Sequence, residues 1–355
     1  MQRTSLRVVL LVALAACSQA KPPATAAQGP AQAAQRRGEL PVAESSVTAP
    51  VVSLAQPGAT EPEQAALVWR RSEVANLTWG DGPLQVGRVR QGEQNPEAPM
   101  AFDVDLEGNL WMLDQVNQRL LVLDGKGGSR SLPVGRTVQD VLVDAVGAVW
   151  TLDRLVAKNV TQRDSQSGAV LQTVALASAK IVEGGMTTGL FVQNGSVFVE
   201  LEHTALRRVA GTPAPDLRNR PTADGKWLLA ALRVPPDKVA VAGRSPTAGE
   251  DQAPGLALQG QFKTPVAQIV ELAGDLGGRV WLAADLVQVG PDDKPLSIKR
   301  EALAWNADGQ VVAHVELCAP LGPEEQFRTV RVKPGGSLYN MCRGPSGVVV
   351  ERWAP

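Results

Sequence analysis

From about Leu67 to Pro355, apolar residues fall in short runs punctuated by Gly, Pro, Asn and Asp, and no stretch carries a convincing helical period. The clearest unit is Met100–Asp124, MAFDVDLEGNLWMLDQVNQRLLVLD. Its spacing predicts a strand, a tight turn, a second strand, a further turn and a third strand. Leu110–Leu113 and Leu120–Leu123 are apolar on both faces, as strands packed between two layers are. Val311–Cys318 instead alternates apolar with polar, as a strand with one solvated face does. The expected fold is all-β, with buried inner strands and half-exposed outer ones.

The unit recurs. Asp105-Leu-Glu-Gly108-Asn-Leu110-Trp111 aligns with Asp144-Ala-Val-Gly147-Ala-Val149-Trp150 and with Asp275-Leu-Gly-Gly278-Arg-Val280-Trp281. Weaker copies put Gly195, Gly225 and Gly336 at the same turn position. A turn glycine supplies the positive φ that closes a hairpin. Six such turns, spaced by about 40 residues plus insertions, predict a six-bladed β-propeller. A ring of seven or eight blades stays open, should residues 91–99 or 235–262 contain further strands.

Blades are expected at Pro99–Val134, Val138–Leu176, Gly184–Ala210, Asp216–Gln261 and Pro265–Leu317, with a sixth starting near Gln326. Insertions rich in Pro, Gly and charge are expected at Pro235–Gln261 and Val287–Arg300. They belong to adjacent blades and would form one lip of a binding surface. The sixth blade lacks an outer strand before the chain reaches Pro355. Asn76–Arg90 is expected to supply it, because Trp79-Gly-Asp-Gly-Pro-Leu-Gln-Val resembles Trp305-Asn-Ala-Asp-Gly-Gln-Val-Val. Closure of that kind removes the exposed sheet edge.

The D-x-x-G-x-[LV]-W strand-turn-strand resembles the NHL, SMP-30 and related six-bladed propeller superfamily. The resemblance covers most of the chain and implies architecture rather than activity. Lactonases of that superfamily carry a carboxylate and asparagine metal site at the channel mouth. No matching set maps onto this sequence, and Asn194 and Asn340 are only loose candidates.

The N-terminus reads as a targeting segment. Arg3 and Arg7 precede or flank an apolar run, Leu6–Ala16, that is short for a membrane span. It ends in Leu14-Ala15-Ala16-Cys17, which resembles the lipobox of bacterial lipoproteins. That resemblance implies a signal peptide over residues 1–16, cleavage before Cys17, a diacylglyceryl thioether on its sulfur, and an acyl chain such as palmitate on its amino group. Each buried CH₂ contributes about 0.8 kcal/mol, so several chains on one residue anchor firmly. In such lipoproteins an Asp after the cysteine favours inner-membrane retention; Ser18 implies the outer membrane, facing the periplasm or the cell surface. Residues 17–66 are Ala, Pro, Gln, Gly, Ser and Thr with scattered charge, the composition of a disordered tether. As a flexible coil it would reach about 40 Å. The propeller is assigned to residues 67–355.

Composition narrows the chemistry. At 44% hydrophobic and 20% charged the chain is ordinary globular material, and a net charge of −1 gives no pull toward nucleic acid. Two histidines, His203 and His314, and three cysteines make a His- or Cys-rich metal site improbable, and no cofactor is expected. No nucleophile elbow, zinc-protease helix, phosphate loop or dinucleotide motif occurs. Trp111, Trp150 and Trp281 would make a stacking platform in isolation, but their shared repeat position with Gly108, Gly147 and Gly278 assigns them to packing. Asp105, Asp144 and Asp275 are assigned to turn capping for the same reason. His314 is placed on the polar face of an outer strand. With Cys17 acylated, Cys318 and Cys342 remain for a disulfide in an oxidising compartment.

These features point to a lipid-anchored envelope propeller serving as a protein-interaction or scaffold module, non-enzymatic, with an envelope protein as partner and the membrane held through Cys17. A metal-dependent hydrolase of the lactonase type and a binder of glycans or other small ligands are the alternatives. Three or more convergent Asp, Glu or Asn side chains at one channel mouth would favour the hydrolase, an apolar or plugged channel would rule it out, and a glycan would require a roomy channel with exposed Trp faces. Cys17→Ala is expected to release the protein from membranes into the soluble fraction; unchanged membrane fractionation would contradict the anchor.

Overall fold

The computed structural model describes residues 68–90, 95–249, 252–291, 294–319 and 322–355. The signal peptide, Cys17 and the tether expected over residues 1–66 lie outside the described residues. Within the described residues six sheets, antiparallel but for one short strand, form six blades, so neither seven nor eight is correct. Blade one comprises Phe102–Val104, Leu110–Asp114, Arg119–Leu123 and Ser129–Pro133. Blade two comprises Asp140–Val143, Val149–Asp153, Asn159–Arg163 and Val170–Ala175. Blade three comprises Thr187–Gln193, Ser196–Leu201, Ala205–Gly211 and Leu217–Arg218, and blade four Arg220–Pro221, Leu228–Val234, Lys238–Arg244 and Leu256–Gln261. Blade five comprises Val266–Gly274, Val280–Val289, Pro295–Trp305 and Val311–Leu317.

Blade six joins the two ends of the domain. Its strands Val330–Val332, Leu338–Arg343 and Gly347–Ala354 are followed in space by Arg70–Trp79. That N-terminal strand pairs antiparallel with the last strand from Arg70↔Ala354 to Thr78↔Gly347. The closing strand thus starts six residues before the expected Asn76, and Gln85–Val86 adds a short parallel fifth strand beside it. Its inward residues Ala75 and Leu77 are buried with Val348 and Val350.

Two further expectations need correction. Blade three takes Leu217–Arg218 as its outer strand, so blade four begins at Arg220 rather than at Asp216. Most of the supposed insertions is regular sheet. Lys238–Arg244 and Leu256–Gln261 are the outer half of blade four, and residues 287–289 and 295–300 lengthen one hairpin of blade five. Their Pro, Gly and charge content misled because outer strands and hairpin tips are solvated and tolerate such residues.

Antiparallel alternation sorts the connections onto two faces. The turns with Gly108, Gly147, Gly195, Gly225, Gly278 and Gly336 share one, called here the turn face. All six have positive φ. Hairpins between second and third strands occupy the opposite hairpin face. Between neighbouring blades lie apolar clusters. The described residues hold five, at the six–one, one–two, two–three, four–five and five–six interfaces. Blades three and four meet through a buried Arg220–Glu200 pair. Cys318, just past the outer strand of blade five, is bonded to Cys342 in blade six, with Cα atoms 5.7 Å apart.

Leu77 is fully buried on a strand that reaches its blade from the far end of the domain. Leu77→Ala should therefore cost about 2–5 kcal/mol in urea unfolding, as a core leucine does. A loss under about 0.5 kcal/mol, the size of a surface change, would mean that the closing strand is not integrated.

Candidate functional site

Each repeat Asp and its Trp form one device. Asp105 Oδ1 accepts from the Asn109 N–H at 2.8 Å, while Oδ2 accepts from Trp111 Nε1 at 2.9 Å. Asp144 caps Ala148 N and receives Trp150 Nε1 at 3.2 Å. Asp275 caps Arg279 N and receives Trp281 Nε1 at 3.3 Å. The carboxylate closes the turn and satisfies the one polar atom of a buried indole, which would otherwise be costly to bury. Trp111, Trp150 and Trp281 are all buried, so none offers a face to a sugar or base. Gly108, Gly147 and Gly278 stand at their turns with open space around the missing Cβ, so positive φ alone calls for glycine there.

The repeat breaks in blade six, where Lys333 stands at the Asp position. Its backbone keeps the turn, with Lys333 N donating to Ser337 O at 2.9 Å. Its side chain turns to the propeller axis and donates from Nζ to Asp103 Oδ1 at 2.9 Å. From there ion pairs run along the axis. Arg331 donates from Nη2 to Asp140 Oδ1 at 2.7 Å. Arg328 lies 3.7 Å from Asp140 and 3.4 Å from Glu271. Arg220 reaches Glu271 at 3.0 Å and grips Glu200 with Nε at 2.5 Å and Nη2 at 2.9 Å. His203 Nδ1 ends the series, 3.0 Å from Arg220 and 3.3 Å from Glu200. Every blade contributes at least one member.

The acids also bind backbone. Asp103 Oδ2 accepts from Val143 N and Asp140 Oδ2 from Leu190 N, each at 2.8 Å, so each carboxylate clasps the inner strand of the next blade. Arg331 donates to Phe102 O and Val141 O at 2.7 Å. Burial alone would raise the Glu200 carboxyl. The Arg220 charge and hydrogen bonds from His203, Arg220 and Thr188 outweigh it and hold the group well below its ordinary 4.5. Asp103 is likewise held down, with Lys333 and Arg331 overcoming its burial. For Arg220, burial opposes the charge, and Glu271 and Glu200 more than restore it.

Two openings flank this axis. On the hairpin face a cavity of about 320 Å³ is bounded by His203, Arg220, Arg233, Leu232 and Ile269. On the turn face a funnel of about 480 Å³ descends between Leu106, Ala145, Phe191, Leu276 and Pro334 to Arg220, Arg328, Arg331 and Lys333. Phe191 lies between two guanidinium groups, 4.5 Å from Arg328 and 5.1 Å from Arg220. Asp103, Asp144 and Glu271 do line the funnel, but Lys333 and Val143 N engage the first, Ala148 N and Trp150 the second, and Arg220 and Leu272 N the third, so as a donor set they do not fit the lactonase metal site. Among the described residues no three His, Cys, Asp or Glu side chains gather as a metal cage. Asn340 is buried beside the disulfide, donating to Cys318 Sγ at 2.8 Å, and Asn194 sits in the blade-three turn, so the two do not converge. His314 lies on the exposed side of its outer strand, 2.6 Å from Glu301.

Sequence reasoning missed the axial set. Its members stand at unlike repeat positions, and their partners are distant in the chain. The one available signal was Lys333 at a position where three other copies have Asp.

No family model matches the chain, and no curated protein matches its sequence. Solved structures resemble its course. Virginiamycin B lyase from Staphylococcus aureus is 8% identical, covering 81% of this chain and 99% of that one, with a TM-score of 0.40. BamB from Moraxella catarrhalis is 13% identical over 82% and 99%, TM-score 0.37. Regucalcin, a calcium-binding protein from Agrobacterium tumefaciens, is 13% identical over 75% and 92%, TM-score 0.42. Likeness at this level concerns the fold and not the chemistry.

Because the folded Glu200 and Asp103 carboxyls are held low, the stability they contribute is present above their unfolded values, about pH 4 to 4.5, and is lost as pH falls toward the folded ones. Glu200→Gln should cost about 3 kcal/mol near neutral pH by leaving Arg220 short of a counter-charge. It should also shed part of the acid sensitivity, read as a smaller shift of the urea midpoint between pH 7 and about pH 3.5. An equal shift in variant and parent would contradict the assignment.

Proposed function

We propose that the protein is a lipid-anchored propeller of the bacterial cell envelope, held at the outer membrane through Cys17, which acts as a non-enzymatic protein-interaction module. The lipobox-like Leu14–Cys17 and Ser18 support the address. The observation that carries the interaction reading is the apolar character of the hairpin face. Leu155 and Val156 project from blade two, Leu232 and Val234 from blade four, and Val289, Leu296 and Ile298 from blade five, all exposed. Hairpin tips facing water have no packing reason to be aliphatic, and clustered exposed apolar side chains mark contact surfaces. Of the two blades expected to form one lip, blade five carries the long hairpin, with strands Val280–Val289 and Pro295–Trp305. Strand alternation directs the apolar sides of the two blades apart: Leu229 and Leu286 face each other in the core, so Leu232 and Leu296 lie on the outward flanks. The surface is therefore a studded face rather than a single groove.

The envelope partner is testable by photo-cross-linking in cells. A photoreactive residue at Leu296 or Leu232 is expected to give a discrete adduct with one envelope protein, while the same residue at Val311, on an outer strand at the turn-face end, gives none. Adducts that are absent from the hairpin face, or identical from all three positions, would overturn the proposal.

A further inference from the structure

The turn-face funnel has an unbalanced supply of hydrogen-bond donors. Its acceptors are filled: Asp103 receives Val104 N, Val143 N and Lys333, and Glu271 receives Leu272 N and Arg220. Asp144, higher on the wall, is taken by its own turn and by Trp150. Its cations are not filled. Lys333 Nζ has three protons, and Asp103 is its one hydrogen-bond partner among the described residues. Arg331 donates through Nε and Nη2, leaving Nη1 without a partner among the described residues. Arg328 donates from Nη1 to Leu190 O, but its charge is only loosely matched, at 3.4 Å and 3.7 Å from its two carboxylates. The remaining carboxylates of the axis, Asp140 and Glu200, are fully buried behind the funnel and do not line it. The surface a ligand would meet is thus cationic at its floor.

The rim has the opposite character. Leu106 and Leu276 are 63% and 61% exposed, at the turns of blades one and five. Turn tips favour polar residues, and two aliphatic ones on a single opening need a partner in the ligand. Phe191, Leu142 and Pro334 continue the apolar wall downward. A volume of about 480 Å³ suits a small molecule.

We infer that this funnel is a binding site for a small amphiphile with an anionic carboxylate or phosphate head and an apolar body, the head taken by Lys333, Arg331 and Arg328 and the body by the Leu106–Leu276 rim. Charge complementarity sets the polarity of the ligand, and the depth order, cations below and aliphatics above, sets its orientation. The inference concerns the face opposite the proposed partner surface and does not depend on that reading.

Isothermal titration of the purified soluble domain, residues 67–355, with decanoate, decyl phosphate, decanol and decylammonium below their micellar concentrations tests it. The domain is usable because the described fold is contained within it. One anionic molecule per chain is expected, bound about tenfold or more tightly than decanol, with no measurable uptake of decylammonium. The tighter of decanoate and decyl phosphate identifies the head group. Lys333→Met should weaken anion binding by about tenfold while leaving decanol unchanged, and Leu276→Asp should weaken all three ligands that bind. Leu296→Asp, on the opposite face, should bind as the parent does. Thermal unfolding of each variant checks that it folds, and Leu106→Asp serves if Leu276→Asp does not. No anion binding by the folded parent, equal binding of decylammonium, or binding indifferent to both Lys333→Met and Leu276→Asp would overturn the inference.

Discussion

The structure depends on how the axis is closed. Inner strands of six blades converge there, and the chain brings to that place Asp103, Asp140, Glu200 and Glu271 together with Arg220, Arg328, Arg331 and Lys333. A buried ion without its partner costs several kcal/mol. No blade carries its own partners in full: blade six holds three of the cations, while their carboxylates come from blades one, two and five. The pairs of blade six with Asp103 and Asp140 can form only when the ring is complete. Apolar clusters bind neighbour to neighbour, but Arg331 and Arg328 reach past blade one to Asp140, so these pairs favour the closed ring over a partial stack. Between blades three and four, which are consecutive in the chain, the Arg220–Glu200 pair is the buried link.

The repeat and its exceptions serve different ends. In blades one, two and five the Asp–Trp bond locks a turn and finishes a buried indole, which is scaffold. Where blade six replaces that Asp with Lys333, the turn survives on backbone bonds and the side chain is released to the axis. Scaffold positions therefore cannot be told from site positions by residue type, since an Asp and a Lys at the same turn do unlike work. The two faces divide accordingly, with aliphatic hairpin tips on one and a cationic funnel with an aliphatic rim on the other.

The architecture was legible in the sequence because it is periodic. Glycines at 108, 147, 195, 225, 278 and 336 count the blades, and the incomplete sixth blade requires a strand from the N-terminal side. The exact closing strand was less legible, since Arg70-Arg-Ser-Glu at its start lacks the apolar alternation of a half-buried strand and its first four residues are exposed. Asp105 and Trp111 were both recognised as scaffold, yet their bond was not, although the constant six-residue offset carried it. The axial set was illegible for a physical reason. Arg331 and Asp140 are 191 positions apart and Lys333 and Asp103 are 230 apart, and no local pattern records contacts made across a ring.

The most direct measurement of the central claim is a double-mutant cycle on Asp140 and Arg331, with urea unfolding of Asp140→Asn, Arg331→Met and the double variant. Each residue has other partners, and the cycle separates the pair from them. Cross-axis pairing predicts a coupling of about 2 kcal/mol, with the double variant more stable than the sum of the single losses implies. A coupling below about 0.3 kcal/mol, the level of independent sites, would contradict the claim that ion pairs across the axis hold the ring closed.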